Sequence, residues 1–154
     1  RVFGASVIST TGSEEKEARL RELGAAVVNY KTREDWDVAV LELTDKKGVD
    51  HVVEVGGSGT LARSLNAVRF GGHVAMVGAL TTAGTFDPIK LFMKAIRLQG
   101  IFVGSRTMFE EMNRAIEVAQ MHPVIDRVFS FDEAREAMRY MQSGSHFGKV
   151  VIRH

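Results

Sequence analysis

Seven short apolar runs alternate along this 154-residue chain with stretches whose apolar residues recur at helical spacing. The runs fall at Ser6–Thr10, Ala26–Asn29, His51–Val55, His73–Val77, Leu98–Val103, Val128–Phe129 and Lys149–Ile152. Most are continuously apolar, as expected of parallel strands covered on both faces. Between them, Glu14–Leu23 predicts a charged helix. Trp36, Ala39, Val40 and Leu43 form one helical stripe, Met112, Ile116 and Ala119 a second, and Ala134, Ala137, Met138 and Met141 a third. The methionines lie on such stripes and are expected in the core. Strand–helix alternation of this kind means βαβ units with right-handed crossovers. The fold class is therefore α/β, a doubly wound and mostly parallel sheet.

The element boundaries carry their own chemistry. Asp87-Pro88 reads as an N-cap followed by proline at the first helical position. Ser130–Glu133 fits a capping box, in which serine and glutamate each cover an orphan amide. Gly24, Gly48 and Gly144 follow helical runs where a left-handed residue is wanted. Arg1–Ala5 reads as the tail of a helix.

Composition narrows the function. With 45% hydrophobic and 25% charged residues the chain is an ordinary globular domain, large enough for a real core. A formal net charge of +1 makes no electrostatic case for nucleic acid or an anionic membrane. The absence of cysteine removes disulfides and thiolate metal sites from these residues. No signal peptide or long apolar span is evident, so a cytoplasmic location is expected. The five histidines are scattered without metal-ligand spacing, and no nucleophile elbow occurs. No catalytic acid, base, nucleophile or metal ligand stands out.

In doubly wound sheets, ligands bind beyond the carboxyl ends of the strands. After His51–Val55 comes Gly56–Ala62, which holds a G-x-G-x-x-A pattern opening a helix. As a pyrophosphate loop it lacks the acidic partner about 20 residues on, at the end of the next strand; the alternative is a turn where backbone passes close to a ligand or a helix. The first run ends in Thr10, Thr11, Gly12 and Ser13, followed by Lys16. Hydroxyls near an ammonium at a helix N-terminus suit a phosphate, and the alternative is that Ser13 caps the helix while Lys16 is solvated. Gly78 and Gly104 follow apolar runs where a small residue lets a flat ring lie on backbone, or simply form turns. Arg106 can meet an anion or pair with Glu110 one turn on, and Lys149 has the same two readings. No glycine-rich strand-to-helix turn precedes the first run, so the chain reads as a nucleotide-binding sheet without its phosphate-gripping first unit.

Taken together, Phe3–Thr11, Glu15-Lys16, Glu22–Ala25, Val27–Tyr30, Gly48–Gly56, Phe70–Gly78, Gly100–Arg106 and Phe147–Ile152 resemble the cofactor-binding domain of the medium-chain dehydrogenase/reductase superfamily, in its zinc-type alcohol dehydrogenase and quinone oxidoreductase branches. The resemblance implies an NAD(P)-dependent oxidoreductase moving hydride between nicotinamide and an alcohol or carbonyl. It implies that Thr11 stands where NAD-users carry Asp, with NADP slightly favoured, and that Lys16 and Tyr30 lie near the adenosine end, beside the Thr10 and Ser13 hydroxyls. Gly56 is then expected in the cofactor cleft, Gly78 and Ala79 under the nicotinamide, Gly104 and Ser105 by its carboxamide, and Lys149 at the pyrophosphate. It further implies a homodimer paired through the edge strand Leu98–Val103. Zinc is expected only in a catalytic domain outside this chain, and the fragment alone is expected to be inactive. A zinc-free quinone or enoyl reductase domain, a non-catalytic binding or dimerisation module, and a methyltransferase-like domain using Gly56–Ala62 for an adenosyl ligand are the alternatives.

The strand order 3-2-1-4-5-6 makes the missing strand central. Its absence would bare two rows of backbone groups inside the sheet. The gap is expected to be filled by direct pairing of Ser6–Thr10 with His51–Val55, by a strand of another copy, or by further residues.

Overall fold

The computed structural model describes residues 4–81 and 84–154. All seven expected strands are present, in the expected order, alternating with helices. They are β1 (Ile8–Thr11), α1 (Glu14–Glu22), β2 (Ala26–Asn29), α2 (Trp36–Leu43), β3 (Val49–Glu54), α3 (Ser58–Ala67), β4 (Val68–Met76), α4 (Ile89–Met93), β5 (Arg97–Gly100), α5 (Arg106–Val118), β6 (Ile125–Ser130), α6 (Ala134–Gln142) and β7 (Lys149–Arg153). A short 3-10 turn over Phe131–Glu133 leads into α6. Two compact units divide the chain, one up to Val103 and the other Gly104–His154.

Every strand ladder among the described residues is parallel. In the first unit, β1 pairs with β2, and β3-β4-β5 form a three-stranded sheet with β4 in the middle. In the second, β6 pairs with β7. No ladder joins β1 to β3. The expected direct pairing of Ser6–Thr10 with His51–Val55 is therefore not made. Apolar side chains in and beside these two strands stay open: Val53 is 70% exposed, and Val7 and Val55 are exposed too. Continuous apolar character along β3 predicts cover on both faces, and the chain supplies it on one.

The core of the first unit has two centres. Val28 of β2, Ala39 and Val40 of α2 and Ala67 of α3 pack together, joined by Ile8, Trp36 and Val49. Leu61 and Leu65 of α3 pack on Val68 and Val74 of β4, with Val52, Leu91, Ile96 and Leu98 around them. The Trp36-Ala39-Val40 stripe thus points inward, while Leu43 stays exposed. Asp37 ties the two helices, accepting from Arg63 Nη1 at 2.9 Å and Asn66 Nδ2 at 2.8 Å.

Several boundaries follow their local chemistry. Ser13 caps α1, accepting from the Lys16 amide. The capping box at Ser130 and Glu133 is complete. Gly24, Gly48 and Gly144 all have positive φ. Asp87 accepts from the Ile89 amide at 2.9 Å, but the helix starts one residue later than expected, with Pro88 at its cap. The edge strand is shorter than Leu98–Val103: pairing with β4 ends at Gly100, because after the Ile101 amide reaches Met76 the chain turns away unpaired. The methionines are not core. Met93, Met108, Met112, Met121, Met138 and Met141 are exposed, because their stripes meet no covering surface among the described residues. The helix tail expected over Arg1–Ala5 falls partly outside the described residues, and Gly4 and Ala5 are not helical.

Candidate functional site

β1 and β2 end side by side, and their exits build one corner. The Thr11 carbonyl accepts from the Tyr30 amide at 2.9 Å, and Thr11 Oγ1 accepts from the Ser13 amide at 3.3 Å. Ser13 Oγ in turn accepts from the Lys16 amide at 3.3 Å, which seats Lys16 in the first turn of α1. A Cβ added to Gly12 would fall 2.7 Å from the Tyr30 ring and hydroxyl, so the phenol lies across bare backbone. Thr11, Ser13 and Tyr30 are thereby brought together, with Thr10 just before them in β1 and Lys16 in the first turn of α1. The nearby carboxylate of Glu17 is engaged: Arg21 Nη2 donates to it at 2.8 Å, with further help from Asn29, and these hold its carboxyl below the usual range.

The second cluster surrounds the exits of β3 and β4, and its organiser is Glu54, a residue that sequence reasoning passed over. Its carboxylate is only 4% exposed. Oε1 accepts from the amides of Gly56 at 2.7 Å and Gly57 at 3.1 Å, and from Thr60 Oγ1 at 2.6 Å. Oε2 accepts from Ser64 Oγ. The signal available was a carboxylate inside an apolar run, two residues before Gly-Gly and followed by two hydroxyl residues, Thr60 and Ser64, at helical spacing. The Glu54 main-chain carbonyl accepts from the amides of Val77 at 2.9 Å and Gly78 at 3.2 Å. Thr81 then bridges the two exits. Its amide and Oγ1 donate to the Gly56 carbonyl at 2.8 and 2.7 Å, and its Oγ1 accepts from the Gly59 amide at 2.9 Å.

This geometry decides how the Gly56–Ala62 pattern is used. The amides of Gly56, Gly57 and Gly59, which a phosphate loop would aim at its ligand, are already bonded inside the protein. A buried carboxylate occupies the positive end of α3, where an external anion would otherwise sit. A phosphate there would meet like charge at close range. The pattern is instead a tight turn: Gly57 has φ of 85°, and a Cβ on it would lie 2.8 Å from the Thr81 carbonyl oxygen. Gly78 passes as closely, its added Cβ falling 2.6 Å from the Val55 carbonyl oxygen. At Gly56 and Gly78 neighbouring protein thus fills the space that a side chain would take, beside the exposed Ala79.

Gly104, Ser105 and Lys149 belong to the second unit. Ser105 caps α5, its Oγ accepting from the Met108 amide at 3.2 Å. Arg106 takes the local role, donating to Glu110 at 2.8 Å. Lys149 opens β7, its amide donating to the Val124 carbonyl at 2.8 Å. No group of three or more His, Asp or Glu able to hold a metal occurs among the described residues, and the chain has no cysteine. No helix among them is long and apolar enough to cross a membrane.

Comparison with known proteins agrees with this architecture. A family model described as zinc-binding dehydrogenase matches residues 1–118. A zinc-type alcohol dehydrogenase-like protein of Schizosaccharomyces pombe is 38% identical over 97% of the chain and 45% of its own length. A solved structure assigned as an alcohol dehydrogenase from Sinorhizobium meliloti matches with a TM-score of 0.90 and 36% identity, over 98% of this chain and 44% of that one. A structure of an NAD-dependent alcohol dehydrogenase matches at 0.89 and 34%, over 99% and 45%. The chain thus spans less than half the length of these relatives.

Proposed function

The chain belongs to the zinc-binding dehydrogenase family, and from that premise we propose that it is the cofactor-binding domain of an NAD(P)-dependent oxidoreductase acting on an alcohol or carbonyl. The observation that carries the reading is the pairing of two surfaces at the strand exits. One is the corner at the β1 exit where Thr11, Ser13 and Tyr30 meet, with Thr10 just before it in β1 and Lys16 in the first turn of α1. The other is the pair of tightly packed, small-residue loops at Gly56, Gly78 and Ala79. The first suits an adenosine with a charged ribose, and the second suits a flat ring. These residues fit a dinucleotide, which when bound supplies or accepts hydride at its nicotinamide. This chain's part is to bind and orient it.

NADP is the favoured cofactor. The β1 exit carries Thr10 and Thr11 where a carboxylate would repel a 2′-phosphate, and Lys16 supplies the opposite charge. Gly104, Ser105 and Lys149 are assigned to the carboxamide and pyrophosphate ends by resemblance alone. The pyrophosphate needs a separate glycine turn, since the Gly56, Gly57 and Gly59 amides are taken. We place that turn, the strand between β1 and β3, and any zinc site in parts of the protein outside this chain. Pairing of two copies through β5 accompanies the reading, supported by its open edge and by Phe102, 95% exposed. A cytoplasmic location goes with it.

The test is titration of the full-length protein with NADPH, NADH and S-adenosylmethionine. NADPH is expected to bind more tightly than NADH, and S-adenosylmethionine not at all. Lys16→Ala is expected to weaken NADPH about tenfold, as loss of one charged contact should, and NADH far less. Absence of dinucleotide binding by the full-length protein would overturn the proposal, and equal losses for both cofactors would overturn the phosphate role of Lys16.

A further inference from the structure

Burying a carboxylate is costly unless donors satisfy it, and Glu54 has four. All are donors: two amides and two hydroxyls. Its charge also lies at the α3 N-terminus, where the helix dipole favours it. Bonds of this charge-assisted kind are short and strong, so the Gly56–Thr60 turn is held firmly. The same residue reaches the neighbouring exit by its main chain, through the Val77 and Gly78 amides. Thr81 closes the circuit by bonding the Gly56 carbonyl and the Gly59 amide. One residue thus sets two loops.

We propose that Glu54 is a positioning residue: through its carboxylate and its carbonyl it sets the backbone of Gly56 and Gly78–Ala79 on which the nicotinamide half of the dinucleotide lies. The inference rests on the function proposed above. Glu54 touches neither cofactor nor substrate in this role. It acts through the glycine backbone, and the adenosine corner at Thr11, Lys16 and Tyr30 is built by other bonds. Binding of the two halves of the cofactor should therefore respond differently to its loss.

Glu54→Gln keeps the volume but replaces an all-acceptor group by an amide whose NH2 faces donors. In the full-length protein it is expected to weaken NADPH about tenfold, the effect of disrupting one or more bonds to a charged acceptor. Adenosine 2′,5′-bisphosphate, which carries only the adenosine half, should change less than about twofold, as distant sites act independently. Thr60→Val removes one of the four donors without changing shape, and is expected to weaken NADPH about threefold while sparing the bisphosphate. It carries the test where Glu54→Gln fails to fold. Equal losses for both ligands in the folded variant, or no loss for NADPH, would overturn the positioning role. Failure of the wild-type protein to bind either dinucleotide would instead overturn the function on which the role rests.

Discussion

The Lys94 ammonium does for the end of α3 what Glu54 does for its start. It donates to the carbonyls of Leu65 at 3.1 Å, Asn66 at 2.9 Å and Val68. The last carbonyls of a helix have no partners within it, and a cation is favoured there. Burial, with Lys90 nearby, pushes its pKa below the ordinary lysine value. Lys94→Met keeps the stem but strands these carbonyls, and should cost about 1.5–3 kcal/mol in urea denaturation at neutral pH. A midpoint unchanged from wild type would refute the capping role. Since the folded chain releases this proton more readily than the unfolded one, wild-type stability should also rise slightly as pH climbs from the lowered value to the ordinary one. The variant should lack that rise. Neither Lys94 nor Glu54 was legible in the sequence, whereas Ser13, the Arg106–Glu110 pair and the Ser130–Glu133 box were. For Lys94 the difference is range, and for Glu54 it is that one carboxylate gathers bonds from two to ten residues on. Caps and helical pairs join residues two to four apart, while Lys94 reaches back 29 residues to Leu65 and Thr81 reaches back 25 to Gly56.

At the scale of elements, the junction of β6 with α6 turns on Glu133. Its Oε2 accepts from the Ser130 amide and hydroxyl, each at 2.8 Å. The amide bond, with the hydroxyl's help, holds the Glu133 carboxyl below the usual carboxylate range. A carboxyl depressed in the folded state stabilises it above the ordinary value, and that contribution is lost as pH falls through the depressed one. Hydrogen exchange of Ala134–Gln142 should therefore accelerate as pH is lowered from about 6 to about 3, beyond the intrinsic rate change. In Glu133→Gln that excess acceleration should be absent. Its persistence would show that some other group governs the acid response. Element type and order were readable because each run carries its period and its punctuation. The fate of the methionine stripes was not, since periodicity tells which side of α5 or α6 is apolar without telling what, if anything, lies over it.

At the scale of the whole chain, the parallel strands of the described residues fall into three sheets, with no ladder joining β1 to β3. The sequence pointed to this gap through the missing glycine-rich turn, but not to its outcome: among the described residues β1 pairs with β2 alone and β3 with β4 alone. Hydrogen exchange on the full-length protein checks the proposed strand between them. The edge amides of Ile8–Thr11 and Val49–Glu54 should exchange as slowly as those of the doubly flanked Val68–Met76, and fast exchange at either edge would rule the strand out. The same map reads the outer edge of β5, where Arg97–Gly100 should lose protection on dilution if two copies pair there.

The turn after β3 carries a wider consequence. Glu54, Thr60 and Ser64 are bound to one another's fate: a lineage that lost the carboxylate would be free to drop both hydroxyls. The emptied helix end would regain its attraction for a foreign anion, so that a single substitution separates a chain that shuns phosphate at this spot from one that could learn to hold it.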